Sequence, residues 1–252
     1  MTLRVFRSGE VAEALFPAFV DELAARLDDP ALDRNDVVHE TLRDIYAAPL
    51  PDGASLARRV TDANLDPRNA TLEAEYYKEI DPRKWARVKP LLWFWQMFDH
   101  SPAGRNVLLG TRLRAMLAAR VFRRCGRNVR IFHDVEFSFG YNLTVGDDVT
   151  IHRNVLIDDR GEVIIGNNVS ISDYANVYSH AHAVEDSNDV SLGRTVIGDN
   201  TRITYHATVF SDVKLGHDTM LGSLGVANKD VPDYEIFGGV PARKIGQKKN
   251  HP

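Results

Sequence analysis

The sequence predicts a mainly β fold, a parallel β-helix built of six-residue repeats and preceded by an α-helical N-terminal region. Three observations lead there. From Val145 onward an aliphatic residue returns every six positions: Val145, Ile151, Ile157, then Ile165, Ile171, Val177, then Ile197, Ile203, Val209, Leu215 and Leu221. A period of six is neither helical nor simple strand alternation, and self-similarity at a fixed period marks a solenoid. At regular points the aliphatic position is followed by turn formers, as in Val145-Gly146-Asp147-Asp148, Ile165-Gly166-Asn167-Asn168, Ile197-Gly198-Asp199-Asn200 and Leu215-Gly216-His217-Asp218. Such residues tolerate positive φ, so these are corners, and the aliphatic residues beside them point inward. Composition divides the chain as well: 13 of the 17 Gly lie from Gly126 onward, while eight of the 11 Pro lie at or before Pro102 and none falls between Pro102 and Pro232. A long proline-free stretch suits a continuous ladder in which every backbone N–H is needed. A β-sandwich of short strands lacks a fixed register of six.

Helices are expected at residues 9 to 28 and 33 to 48, where apolar side chains recur at three- and four-residue spacing and Pro30, Pro49 and Pro51 punctuate. A third helical stretch is expected from about residue 71 to 98, broken at Pro82 and Pro90. A fourth covers 106 to 124, with an apolar stripe of Leu109, Leu113, Met116, Leu117 and Val121 and with Gly126 as its C-cap. Its arginines, Arg112, Arg114, Arg120, Arg123 and Arg124, read as a solvated face near the helix C-terminus. The pattern changes at Val129 and Val135, and two gaps then interrupt the period of six. The first is absorbed by Asp159-Arg160-Gly161; the second, between Val177 and Ile197, places an exposed polar loop at 183 to 195. The resulting organisation is a helical region over 1–126, a β-helix over 127–247 and a short tail over 248–252. Residues 1–70 match no recognisable pattern beyond being helical, and are expected to cap one end of the prism or to shape its binding pocket.

The net charge of −4 offers no general attraction to nucleic acid, and one cysteine, Cys125, excludes an internal disulfide framework and fits a reducing compartment. The apolar cluster Leu91-Leu92-Trp93-Phe94-Trp95 is too short to span a bilayer and reads as core packing. No export signal is visible near Met1, so a soluble, cytoplasmic protein without a membrane partner is expected.

The repeats, together with Gly238-Gly239-Val240-Pro241-Ala242-Arg243-Lys244-Ile245, resemble the hexapeptide-repeat acyltransferases. Within them, Phe137-Ser138-Phe139-Gly140, Asn154-Val155-Leu156-Ile157-Asp158-Asp159, Tyr178-Ser179-His180-Ala181 and Asn228-Lys229-Asp230-Val231-Pro232 look like the galactoside and maltose O-acetyltransferases. Several motifs occur in order at compatible spacing, over about residues 97 to 247 and more faintly from Tyr76. The resemblance implies a left-handed β-helix, a homotrimer with active sites between subunits, acetyl-CoA as co-substrate, a small-molecule acceptor and no metal.

Acetyl transfer to a hydroxyl needs a base, and by position His180 matches the family's catalytic histidine. His182 is its rival, since residues two apart in an extended chain share a face. His133, His152 and His206 read as structural, and His217 as a solvated corner residue. The resemblance places Ser138, Asn154, Asp158 and Asp159 on the acceptor, and short hydrogen-bonding side chains suit a polyol. Asn154 and Asp159 also read as turn residues, Asp159 above all. On the donor side it implies Tyr205, Ser223, Asn228, Lys229 and Arg243, with the two cations suited to CoA phosphates and backbone N–H groups near Tyr205 to an oxyanion.

Departures from the family pattern cluster on the donor side. Arg202 stands where the family has an aromatic residue, Tyr205 where it has a small one, Asn228 where it has Thr, and Gly246 where it has a second basic residue, with Lys244, Lys248 and Lys249 nearby. The family's acceptor-binding Asp falls on Lys78, next to Glu79, which points to an acceptor other than a galactoside or maltose. Other readings of such a chain are a serine acetyltransferase, an amine or antibiotic acetyltransferase, a zinc-dependent γ-class carbonic anhydrase and a non-enzymatic trimeric scaffold. The two histidines five apart that the carbonic anhydrases use have no counterpart here.

Overall fold

In the computed structural model, which describes residues 9–47, 51–186 and 188–248, five helices precede a β-solenoid of about six turns. The helices are α1 (Glu10–Asp28), α2 (Arg34–Ile45), α3 (Leu56–Leu65), α4 (Pro82–His100) and α5 (Val107–Val121). The solenoid is three parallel sheets wound together. Cys125 pairs with Val145 and Val145 with Ile165 on the first wall; Ile131, Ile151 and Ile171 align on the second, and Phe137, Ile157 and Val177 on the third. Each of these coils thus takes 20 residues. The next pairings, Ile165 with Ile197 and Ile197 with Leu215, show an insertion and then tighter coils.

All eleven members of the aliphatic series are buried, as the period of six requires. A second inner column runs two residues ahead of it: Val149, Val155, Val163, Val169 and Ala175 are also buried. In later coils the column is interrupted by polar residues, Thr195, Thr201 and Thr219 among Ala207 and Val213, which hides it from period-six counting. There Thr201 and Thr219 are buried with their hydroxyls donating to the Gly216 carbonyl at 2.8 and 3.1 Å. The corner residues Asp148, Asn168, Asn200 and Asp218 have φ between 53° and 59°, and the side chains of Asn168, Asn200 and Asp218 form a ladder from coil to coil. The glycine before each corner serves packing instead: a Cβ on Gly146 would lie 2.7 Å from the Gly166 carbonyl one coil above.

Several expected boundaries move. The break expected at Pro82 is where α4 starts, with the Asp81 side chain accepting from Arg83 and Lys84 N–H, but the stretch before it holds only a 3-10 turn at Glu73–Tyr76. Pro90 does not break α4, because Leu91, Leu92, Phe94, Trp95 and Phe98 around it are buried and outweigh the lost hydrogen bond, a cost of about 3 kcal/mol. Helix α3 was not expected at all. Gly126 is not a C-cap; α5 ends at Phe122 in extended conformation, and Gly126 lies in the first coil, where a Cβ would meet Gly146 at 2.3 Å. Cys125 occupies the inner column of that coil, and burial pushes its thiol up to about 11.

Arg114 corrects the solvated arginine face. It is 1% exposed, donates through Nε to Asp99 Oδ1 at 2.7 Å and reaches the Gly104 carbonyl at 2.7 Å, while the other Asp99 oxygen accepts from Asp134 N–H at 2.8 Å. This pair ties α4 and α5 to the first coil. Aromatic contacts extend the seam: Trp95 meets Phe137 edge-on at 5.2 Å, and Trp85 meets Phe139 at 6.4 Å. Among the described residues no helix is long and apolar enough to cross a membrane.

Candidate active site

The site lies on one edge of the prism, where the third wall of each coil turns into the first wall of the next. Because Phe137, Ile157 and Val177 are in register, the residues that follow them, Ser138, Asp158 and Tyr178, stack along this edge. The polar loop expected at 183–195 is a β-hairpin that opens earlier: His180–His182 pairs antiparallel with Val190–Leu192, and Arg194–Ile197 already belongs to the next coil. His180 is the first residue of that hairpin. Beneath it the buried Ser179 hydroxyl donates to the Asp158 carbonyl at 2.6 Å and accepts from Gly161 N–H at 2.9 Å, which fixes the takeoff of the hairpin.

Nδ1 of His180 sits against Asp158 Oδ2, with the two side chains 15% and 5% exposed. The other Asp158 oxygen accepts from Arg160 N–H at 3.0 Å and from the Ser138 hydroxyl at 3.3 Å. With Nδ1 turned toward the carboxylate, Nε2 is the nitrogen left to exchange a proton. His182 is exposed and stands edge-on to His180 at 5.1 Å. Ser138, Asp158 and His180 line one pocket of about 280 Å³ together with Glu136, Phe137, Leu156 and Tyr178 of the solenoid, and the helical region adds a wall of Leu72, Glu73, Ala74, Tyr77, Leu92 and Gln96.

Adjacent residues on this edge do different work. Asp159 is fully buried, accepting from Phe139 N–H at 2.7 Å and Asn142 N–H at 3.1 Å, and it does not line the pocket. Burial pushes its carboxyl up to about 6 against the pull of the Gly140, Phe139 and Asn142 N–H groups. Its expected place on the acceptor is therefore corrected: the carboxylate holds the loop behind Ser138. Arg160 is buried too, pairs with Glu79 and lies 4.0 Å over the Tyr77 ring. Burial alone would raise the Glu79 carboxyl, but the Arg160 hydrogen bond holds it below its usual range. Tyr77 donates to Glu73 Oε1 at 2.5 Å, and burial together with that carboxylate pushes its phenol up to about 12. Sequence reasoning reached Tyr77 and Glu79 only as neighbours of Lys78, and missed Glu73, Gln96 and Arg160; Lys78 itself is exposed.

The remaining expected residues fall elsewhere. Asn228 and Lys229 lie on the same edge two coils beyond His180, since Ala227 pairs with Val209 and Val209 with Val177. Asn154, Tyr205 and Ser223 occupy the edge between the second and third walls, where Asn154 has φ 56° and Tyr205 is exposed beside Tyr174 and His206. The Ser223 hydroxyl donates to Thr204 Oγ1 at 3.3 Å. Arg243 lies in the last strand, exposed, donating to the Ala242 carbonyl. His133 is paired with Arg105 and Asp134, while His152 stacks on Phe132 and His206 on Tyr174. His217 bridges Asp218 and Asp233, so it is paired where a simply solvated residue was expected. Among the described residues no three His, Cys, Asp or Glu side chains converge as a metal ligand set.

No family model matches the chain. It is 28% identical over 173 residues to galactoside O-acetyltransferase of Escherichia coli K12, covering 65% of this chain and 79% of the relative. A solved galactoside acetyltransferase in complex with coenzyme A superimposes with a TM-score of 0.58 at 27% identity, over 66% of this chain and 81% of that one. A maltose O-acetyltransferase from Clostridium difficile 630 superimposes with a TM-score of 0.60 at 20% identity, over 72% of this chain and 100% of the other, a likeness of fold. Over about two thirds of its length the chain is thus similar in sequence and fold to galactoside O-acetyltransferase, with a β-solenoid like that of the solved hexapeptide-repeat acetyltransferases.

Proposed function

We propose that this chain is an acetyl-CoA-dependent O-acetyltransferase acting on a hydroxyl of a sugar or related polyol. One observation carries the reading: His180 is set against the Asp158 carboxylate in a pocket that also holds Ser138, on the fold of a homologue named for O-acetyl transfer. His180 Nε2 takes the acceptor hydroxyl proton as that oxygen attacks the thioester carbonyl carbon. The C–S bond then breaks, His180 returns the proton to the leaving thiolate, and the products are an acetyl ester and CoA. Asp158 fixes the ring and its tautomer, and Ser138 orients the acceptor. Lys229 and Arg243 serve the donor's phosphates, Asn228 and Ser223 its arm, and backbone N–H groups near Tyr205 the oxyanion.

The split of these residues between two prism edges supports a homotrimer with active sites between subunits. A second copy brings its Asn154, Tyr205 and Ser223 edge to the His180 edge of the first. Sedimentation should show a trimer. The direct test offers acetyl-CoA with sugars, amino sugars, L-serine and aminoglycosides, and identifies the product by mass and by alkaline lability. An ester on a sugar is expected; preferred acetylation of L-serine, or an alkali-stable amide, would replace this reading.

A further inference from the structure

The wall that the helical region adds to the pocket makes a second statement about the acceptor, which rests on the O-acetyl transfer reading. Glu73 and Tyr77 face the pocket opposite Ser138, Asp158 and His180. Tyr77 spends its proton on Glu73 Oε1, which leaves Glu73 Oε2 and the phenolic lone pairs as acceptors for a ligand's O–H or N–H. The pocket's charged lining is one-sided: Glu73, Glu136 and Asp158 are carboxylates, and His180 is the one lining side chain able to carry positive charge. The nearby guanidinium of Arg160 does not line the pocket and is matched by Glu79.

That guanidinium has a structural task. Its side chain is 6% exposed, it holds Glu79 through Nε at 2.6 Å, covers the Tyr77 ring, and its backbone N–H fixes the same Asp158 carboxylate that faces His180. One residue therefore sets both the reacting edge and the opposite wall, joining segments 81 positions apart in the chain. We propose that the Glu73–Tyr77 pair, held by the positioning residue Arg160, selects the acceptor. It reads a second hydroxyl or an ammonium beside the hydroxyl that is acetylated, and it rejects anionic acceptors such as uronates and sugar phosphates. Neutral sugars and amino sugars are the class that fits.

The test compares a methyl hexoside with its uronate counterpart in wild type, E73Q, Y77F, R160M and R160K. Wild type should favour the neutral glycoside strongly, and E73Q should narrow that preference by about tenfold, the scale of one hydrogen bond to a charged group. Y77F and R160M should raise the acceptor KM by about tenfold while the acetyl-CoA KM stays at the wild-type value, with R160K partly restoring it. An unchanged preference in E73Q, or an acceptor KM untouched in Y77F and R160M, overturns the proposal. Should R160M fail to fold by circular dichroism, E73Q and Y77F decide alone. Failure of the underlying reading shows separately, as wild type that binds acetyl-CoA but acetylates no hydroxyl acceptor.

Discussion

Replacing Asp158 by Asn tests how the pocket prepares His180 for proton transfer. In the native arrangement one Asp158 oxygen faces Nδ1 of His180, and the other accepts from Arg160 N–H and the Ser138 hydroxyl. The carbonyl of the substituted amide would keep the second set of bonds, because those partners are donors. Its N–H₂ group would then face Nδ1, which becomes an acceptor only if the ring proton moves to Nε2. The base nitrogen would be protonated and unable to receive the acceptor's proton. Since the pair is nearly sealed from water, solvent cannot substitute for the lost carboxylate. The cost should be about 10²- to 10⁴-fold in kcat, or roughly 3 to 5.5 kcal/mol of barrier, as for other histidine bases deprived of their carboxylate. The assay is release of CoA thiol at saturating acetyl-CoA, with KM for acetyl-CoA and the melting temperature measured beside it. Both should stay near wild type, because the amide preserves volume and the bonds to Arg160 and Ser138. A kcat within about threefold of wild type would refute a carboxylate-set tautomer.

Three further outcomes follow from the packing and the charges. Arg114→Met strands the buried Asp99 carboxylate and should cost about 3 to 5 kcal/mol in urea unfolding, recovered in part by adding Asp99→Leu; a loss below about 1 kcal/mol would contradict a charge pair sealed in the core. Ile171→Ala empties a fully buried position in the middle of the solenoid and should cost about 2 to 5 kcal/mol in the same measurement, whereas a surface-like change near zero would contradict the inward column. Glu79 has a carboxyl held below its ordinary value of 4.5, so its tie to Arg160 contributes stability above that pH and loses it as pH falls through the lower folded value. Glu79→Gln should therefore flatten the acid side of the stability profile, and an acid limb identical to wild type would contradict the tie.

What the sequence made legible was the part built by repetition. Each aliphatic residue of the period faces the same interior, so one spacing rule placed all eleven inside, and the corner residues declared themselves by tolerating positive φ. The proposed base, His180, was reachable because it stands at a motif and at the break in the period. Neighbours were harder to tell apart. Asp158 and Asp159 look alike in sequence, yet one faces His180 and the other is turned into the backbone of residues 139 to 142. Both are buried, so orientation separates them, and the partners that set it lie on a coil 20 residues away. Arg114 read as surface for the same reason: its partner Asp99 lies on another helix, and nothing local marks the pair. The wall of the pocket was least legible of all, since Glu73 and Tyr77 reach it only through contacts between the helical region and coils far along the chain.

The proposed reaction turns on which imidazole moves the proton. Acetyl-CoA turnover should be compared among wild type, H180A and H182A, with CoA binding followed by calorimetry in each. H180A should lose turnover by orders of magnitude while binding CoA as wild type does, and H182A should retain most of it. Full turnover in H180A, or a collapse confined to H182A, would rule out His180 as the base.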